Sequence, residues 1–204
     1  MSDERAAIVS RIRAALAGRA DKAAAPEYPS DIAVSRAALG GHGLVEMFMK
    51  GLERVRGRAF TSPVALAAWL RERGALHGYC DPELLPLVGH GFGADFVLET
   101  AFERARIDDY AFGITRAVGG IAETGTLVLD DASTARRLAA LAPWIHVALV
   151  RRSELHRDVS QAIAALGSDP NVVWVTGPSK TADVEGILIE GVHGPGEEVA
   201  LILE

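Results

Sequence analysis

Five short runs in the later part of the chain are apolar at nearly every position: Phe112-Gly113-Ile114-Thr115, Thr126-Leu127-Val128-Leu129, Ile145-His146-Val147-Ala148-Leu149-Val150, Asn171-Val172-Val173-Trp174-Val175 and Val199-Ala200-Leu201-Ile202-Leu203. A strand with one wet face alternates apolar and polar residues; a strand covered on both faces does not. These runs therefore predict an α/β fold, a largely parallel sheet flanked by helices. Between the third and fourth runs a helical pattern, Glu154 to Leu166, reads as the middle of a strand–helix–strand unit with a right-handed crossover.

The first part of the chain is different in character. Residues 1–60 carry seven acids and ten bases, the remainder twenty and eleven. Ile8, Ile12 and Leu16 recur every four residues behind Ser2, Asp3 and Glu4, which predicts a helix over about 3–18 with a narrow apolar stripe. The Ala-, Pro- and charge-rich stretch 18–30 then reads as a linker. We divide the chain into an N-terminal helix and linker, 1–35, and an α/β domain, 36–204. The narrow stripe predicts docking on a neighbour, including a second copy of the chain. Leu44, Val45, Met47, Phe48 and Leu52 fit a second helix; Thr61-Ser62-Pro63 opens a third, Val64 to Arg73.

Composition narrows the function. With 27 acids against 21 bases and a net charge of −6, the chain lacks the basic excess of a nucleic-acid binder. Its one cysteine, Cys80, excludes an intramolecular disulfide and a self-contained iron–sulfur or cysteine-ligated zinc site. No two of the six histidines lie at the i, i+4 spacing of a helical zinc pair, so no metal is expected. The longest apolar stretch, Leu138 to Val150, is too short to span a membrane and holds Pro143 and His146; acids near the N-terminus do not fit a leader. A cytoplasmic protein is expected.

Three segments carry candidate chemistry. In Gly119-Gly120-Ile121-Ala122-Glu123-Thr124-Gly125-Thr126, glycines permit close backbone approach, Glu123 offers a carboxylate, and Thr124 and Thr126 offer hydroxyls. A β-turn joining two strands explains the same residues. In Thr176-Gly177-Pro178-Ser179-Lys180-Thr181-Ala182-Asp183, a strand runs into a glycine loop and a candidate helix start, which suits an anion, although Ser179 or Thr181 as a helix cap fits equally. His193 between Gly191 and Gly194 is an acid–base candidate or a turn residue. His146, inside an apolar run, reads as buried and satisfied. Trp69, Trp144 and Trp174 read as core or interface anchors.

Ile121-Ala122-Glu123-Thr124-Gly125-Thr126, the Pro143 to Val150 run, Thr176 to Glu185 and Gly191-Val192-His193-Gly194-Pro195 together resemble the lactate-utilization protein C family, the LUD domain. The resemblance implies a Rossmann-like fold of the kind shared by glucosamine-6-phosphate deaminase, ribose-5-phosphate isomerase and CoA transferases. It also implies a part in bacterial oxidation of L-lactate to pyruvate, beside two partner subunits that carry iron–sulfur clusters. With one thiol, this chain is expected to hold no cofactor itself and to supply a site for a small anionic ligand. The expected catalytic residues are Glu123 and His193. The expected ligand-binding residues are Gly120, Thr124, Gly125, Thr126, Thr176, Gly177, Ser179, Lys180, Thr181, Asp183 and Gly194. The alternative is a stand-alone isomerase or acyl- or CoA-transferase-like enzyme using Glu123.

Overall fold

The computed structural model describes residues 2–19, 43–131, 137–166, 171–182 and 188–204. The chain divides into two units, Met1–Ser35 and Arg36–Glu204. In the first, helix α1 (Ser2–Ala17) leaves Ile8, Ile12 and Leu16 exposed.

In the second unit, strands β1 (Arg58–Phe60), β2 (His77–Cys80), β3 (Val97–Glu99) and β4 (Phe112–Arg116) join two later ones, β7 (Ile145–Arg151) and β12 (Glu197–Leu203). They form one parallel sheet in the order β1-β12-β7-β4-β2-β3. A second sheet, in the order β8-β5-β6-β9, consists of β5 (Gly119–Ile121), β6 (Thr126–Asp130), β8 (Leu155–His156) and β9 (Val172–Val175). The hairpin of β10 (Lys180–Ala182) and β11 (Leu188–Glu190) stands apart from both. The helices are α2 (Leu44–Arg54), α3 (Pro63–Glu72), α4 (Leu85–Val88), α5 (Arg137–Leu141) and α6 (Val159–Ala165).

The central strands are apolar on both faces because both faces are covered. Phe112, Ile114, Val147, Leu149, Val199 and Leu201 pack with Leu66, Trp69 and Leu70 of α3. Pro63 opens that helix, and Ser62 caps it by accepting from the Ala65 N–H at 3.5 Å. On the other face Ala148, Val150, Ala200 and Ile202 share a core with Met47, Phe48 and Leu52 of α2. Leu127, Leu129, Val173 and Val175 of the second sheet close the same core, so α2 is held between two sheets.

Two expectations change. The strand–helix–strand unit from β7 to β9 is not formed. Leu155 and His156 pair with β5, α6 begins only at Val159 behind the Asp158 cap, and β9 runs antiparallel to β6. The strands that lie parallel beside β7 are β12 and β4. The helix start expected after Ser179 is instead strand β10, with Thr181 opposite Ile189. A β-branched residue facing a β-branched partner favours the strand, and Gly177, at φ +75°, turns the chain before it.

Candidate functional site

The site is organised by the C-terminal end of α2. Between β5 and β6 the chain turns through Ala122 to Gly125, where Gly125 has φ +66°. A Cβ on Gly125 would lie 2.2 Å from the Gly51 carbonyl carbon; one on Gly51 would lie 2.5 Å from the Ala122 oxygen. Backbone touches backbone here, and glycine is required on both sides. The amides of Ala122 and Glu123 donate to the carbonyls of His156 and Arg157, at 2.8 and 3.0 Å. The turn is thus fixed on two sides; it spans Ala122 to Gly125, one residue earlier than the expected Glu123–Thr126 β-turn, with the Gly125 N–H donating to the Ile121 carbonyl at 2.9 Å and Thr126 already in β6.

The register that pairs Leu127 with Val175 sets Thr126 next to Thr176. Their hydroxyl oxygens are 2.8 Å apart, and the Thr124 hydroxyl is 2.7 Å from that of Thr126. Three hydroxyls from two distant segments form one chain, its middle member Thr126 buried. Beyond Thr176, a Cβ on Gly177 would lie 2.2 Å from the Val55 carbonyl oxygen. Lys180 Nζ donates to that same oxygen at 3.3 Å, and Arg54 donates to the Glu123 carbonyl at 2.9 Å. Arg56 pairs with Glu190 at 2.8 Å. Cations gather where the last carbonyls of α2 leave partial negative charge.

The third motif joins the second. The Ser179 N–H donates to the Pro195 carbonyl at 2.8 Å, the Gly191 N–H donates to the Ser179 carbonyl at 2.9 Å, and Gly194 lies against the Ser179 side chain. Gly191 and Gly196 form the floor under the Trp144 ring, which is 55% exposed. His193 is exposed on this turn. Thr181 lies in β10, and Gly120 lies in β5, over Phe48 and Leu155, where a Cβ would be 2.7 Å from Leu155. Asp183 falls outside the described residues.

The first two segments therefore meet at the end of α2, and the third is joined to the second through Ser179. Gly120, Gly125 and Gly177 serve close packing there; Glu123, Thr124, Thr176 and Lys180 carry the polar groups. The Glu123 side chain is half-buried and has no hydrogen-bond partner among the described residues. Such a carboxylate can accept a proton or a hydrogen bond from a ligand while the adjacent hydroxyls orient it.

A second polar cluster lies inside the parallel sheet. His146 Nδ1 is 2.8 Å from Glu198 Oε1 and its Nε2 is 2.9 Å from Thr115 Oγ1, all three side chains essentially inaccessible. Burial pushes the Glu198 carboxyl above its ordinary range, opposed by His146. The satisfied histidine agrees with its apolar surroundings in the sequence, but its partners come from strands 31 residues before and 52 residues after it. Their only sequence signal is a polar residue within an apolar run. Cys80 is buried, and burial pushes its thiol up to about 12. Among the described residues no group of three or more His, Cys, Asp or Glu side chains is placed to hold a metal, and no helix is long and apolar enough to cross a membrane.

A parallel sheet backed by helices, with a second sheet carrying glycine turns onto one of those helices, defines an α/β domain of Rossmann-like type. The LUD domain profile matches residues 92–203, more than half of the chain, and the chain belongs to that family. It is similar to lactate utilization protein C of Deinococcus radiodurans, 28% identical over 194 residues that span 92% of this chain and 90% of that protein. The lactate utilization protein C of Bacillus subtilis is 36% identical over 91 residues, 41% of this chain and 38% of that protein. In that alignment the chain spans less than half of its relative. A crystal structure of a DUF162 family protein from Deinococcus radiodurans superposes with a TM-score of 0.58 at 21% identity, covering 84% of this chain and 99% of that one, which shows the shared fold.

Proposed function

We propose that this chain serves lactate utilization, in the oxidation of L-lactate to pyruvate, as the subunit that binds a small anionic ligand and leaves electron transfer to iron–sulfur partner subunits. The observation that carries this reading is the similarity to a protein named lactate utilization protein C over nine-tenths of both chains. Oxidising a hydroxy acid to a keto acid releases two electrons and two protons, and a chain whose single thiol is buried is poorly equipped to store those electrons. Glu123 receives the proton or hydroxyl of the ligand, Thr124, Thr126 and Thr176 orient it, and His193 is the acid–base group on the third turn.

Deleting the gene in the source organism tests the reading. Loss of growth on L-lactate, with growth on glucose intact, is the expected result, together with co-purification of cluster-bearing proteins with the tagged chain. Undiminished growth on L-lactate overturns it.

The unengaged Glu123 carboxylate also favours a second reading, a stand-alone isomerase or acyl-transfer enzyme with Glu123 as base or nucleophile. Turnover by the isolated chain, abolished in Glu123→Gln, distinguishes it from the first.

A further inference from the structure

Glu123 stands between two groups of opposite charge that do not meet. Its own carboxylate is half-buried and has no hydrogen-bond partner among the described residues, while its main-chain oxygen accepts from Arg54 Nη2 at 2.9 Å. A guanidinium is therefore held against the same residue as the free carboxylate, without pairing with it.

Arg54 differs from the cations around it. Arg56 is neutralised by Glu190 at 2.8 Å, and Arg71 and Arg73 at the end of α3 pair with Asp95 and Glu197. Arg54, the exposed last residue of α2, has no acidic partner among the described residues and uses one of its five N–H groups. That one bond is enough to tie the β5–β6 turn to the helix. It leaves the rest of a planar donor fork open, the shape that takes a carboxylate through two parallel hydrogen bonds.

The spacing sets what fits. A glutamate carries its carboxylate roughly 4–6 Å from its own main-chain oxygen, so the charged ends of Arg54 and Glu123 are separated by about 5–8 Å. A molecule that bridges them needs acceptors for Arg54 and, close by, an O–H donor for Glu123. A 2-hydroxy acid has both: its carboxylate and hydroxyl oxygens lie about 2.7 Å apart, and two hydrogen bonds of about 2.8 Å complete a bent span of that order. The corresponding keto acid keeps the carboxylate but has no O–H, and its keto oxygen would face the Glu123 carboxylate as acceptor against acceptor.

Resting on the reading of Glu123 as the group that receives the ligand's hydroxyl, we infer that Arg54 is the carboxylate anchor of this site and that Arg54 and Glu123 together select the hydroxy acid over the keto acid.

Titration of the full chain with L-lactate, pyruvate and the uncharged L-lactamide, followed by amide NMR, tests it. Wild type is expected to bind L-lactate about tenfold more tightly than either of the others, the value of one hydrogen bond to a charged group. Arg54→Gln is expected to bind lactate and lactamide alike, whereas an arginine that only holds the turn would weaken both equally and leave their ratio unchanged. Arg54→Lys, which keeps the charge without the fork, should retain part of the preference, and Arg58→Gln, on β1, all of it. Glu123→Gln, which adds an N–H donor, is expected to narrow the lactate–pyruvate ratio. The inference is overturned by a lactate–lactamide ratio unchanged in Arg54→Gln, by pyruvate bound as tightly as lactate in wild type, or by no saturable lactate binding. In each of those cases loss of growth on L-lactate in the gene deletion leaves the proposed function standing, and undiminished growth removes that function whatever Arg54 binds.

Discussion

At the scale of single residues the strongest constraint is the buried Thr115–His146–Glu198 cluster, because removing its central member His146 leaves both of the others unpaired. His146→Leu strands a buried carboxyl and a hydroxyl, and is expected to lower unfolding free energy by about 3 kcal/mol in urea titrations. Glu198→Gln keeps an acceptor for the imidazole and is expected to cost less. The pH dependence has a definite sign. Burial holds the Glu198 carboxyl above its ordinary range, so the folded chain retains a proton that the unfolded chain has already released. That stabilisation is complete below the ordinary carboxylate range and is lost as pH rises through the folded value. Glu198→Gln has no such proton to lose, so its stability relative to wild type should increase with pH across that window. A relative stability independent of pH contradicts the assignment. At Gly125, Ala combines a left-handed backbone with overlap on α2, and a loss of about 3 kcal/mol is expected, measured as a lowered denaturation midpoint.

At the scale of elements, α2 determines how the candidate site is assembled. The β5–β6 turn and the loop after β9 both rest on its last turn through glycine contacts, and Lys180 and Arg54 hydrogen-bond there. Gly51→Ala pushes a methyl group into the Ala122 carbonyl and is expected to disturb the amide resonances of Glu123 to Thr126 more than those of α3. The central strands were legible in sequence because both of their faces are apolar, a local property. The second sheet was not, since β9 carries the same kind of run and only its pairing with β6 shows where it belongs. The three motifs were visible as residues, but the meeting of the first two on the end of α2 depends on contacts between positions 69 and 125 residues apart. The helix expected after Ser179 failed for a related reason. Thr181 suits a cap or a strand, and the opposing Ile189 decides for the strand.

At the scale of the whole molecule, Cys80 reports on global unfolding. It lies at the end of β2 within the core that α3 covers, and burial pushes its thiol up to about 12. A thiol-specific reagent should modify it only through unfolding, with a rate that follows denaturant stability rather than thiol pKa in water. Rapid labelling of the native chain would contradict that burial. The proposed function assigns the chain to lactate utilization, and Glu123 is where that proposal places its chemistry. The most direct test is growth on L-lactate of the source organism carrying Glu123→Gln at the native locus, with the variant protein shown to match wild type in Tm and abundance. The account predicts that growth on L-lactate is lost while growth on glucose is unchanged. Wild-type growth on L-lactate with a folded, normally abundant variant would contradict it.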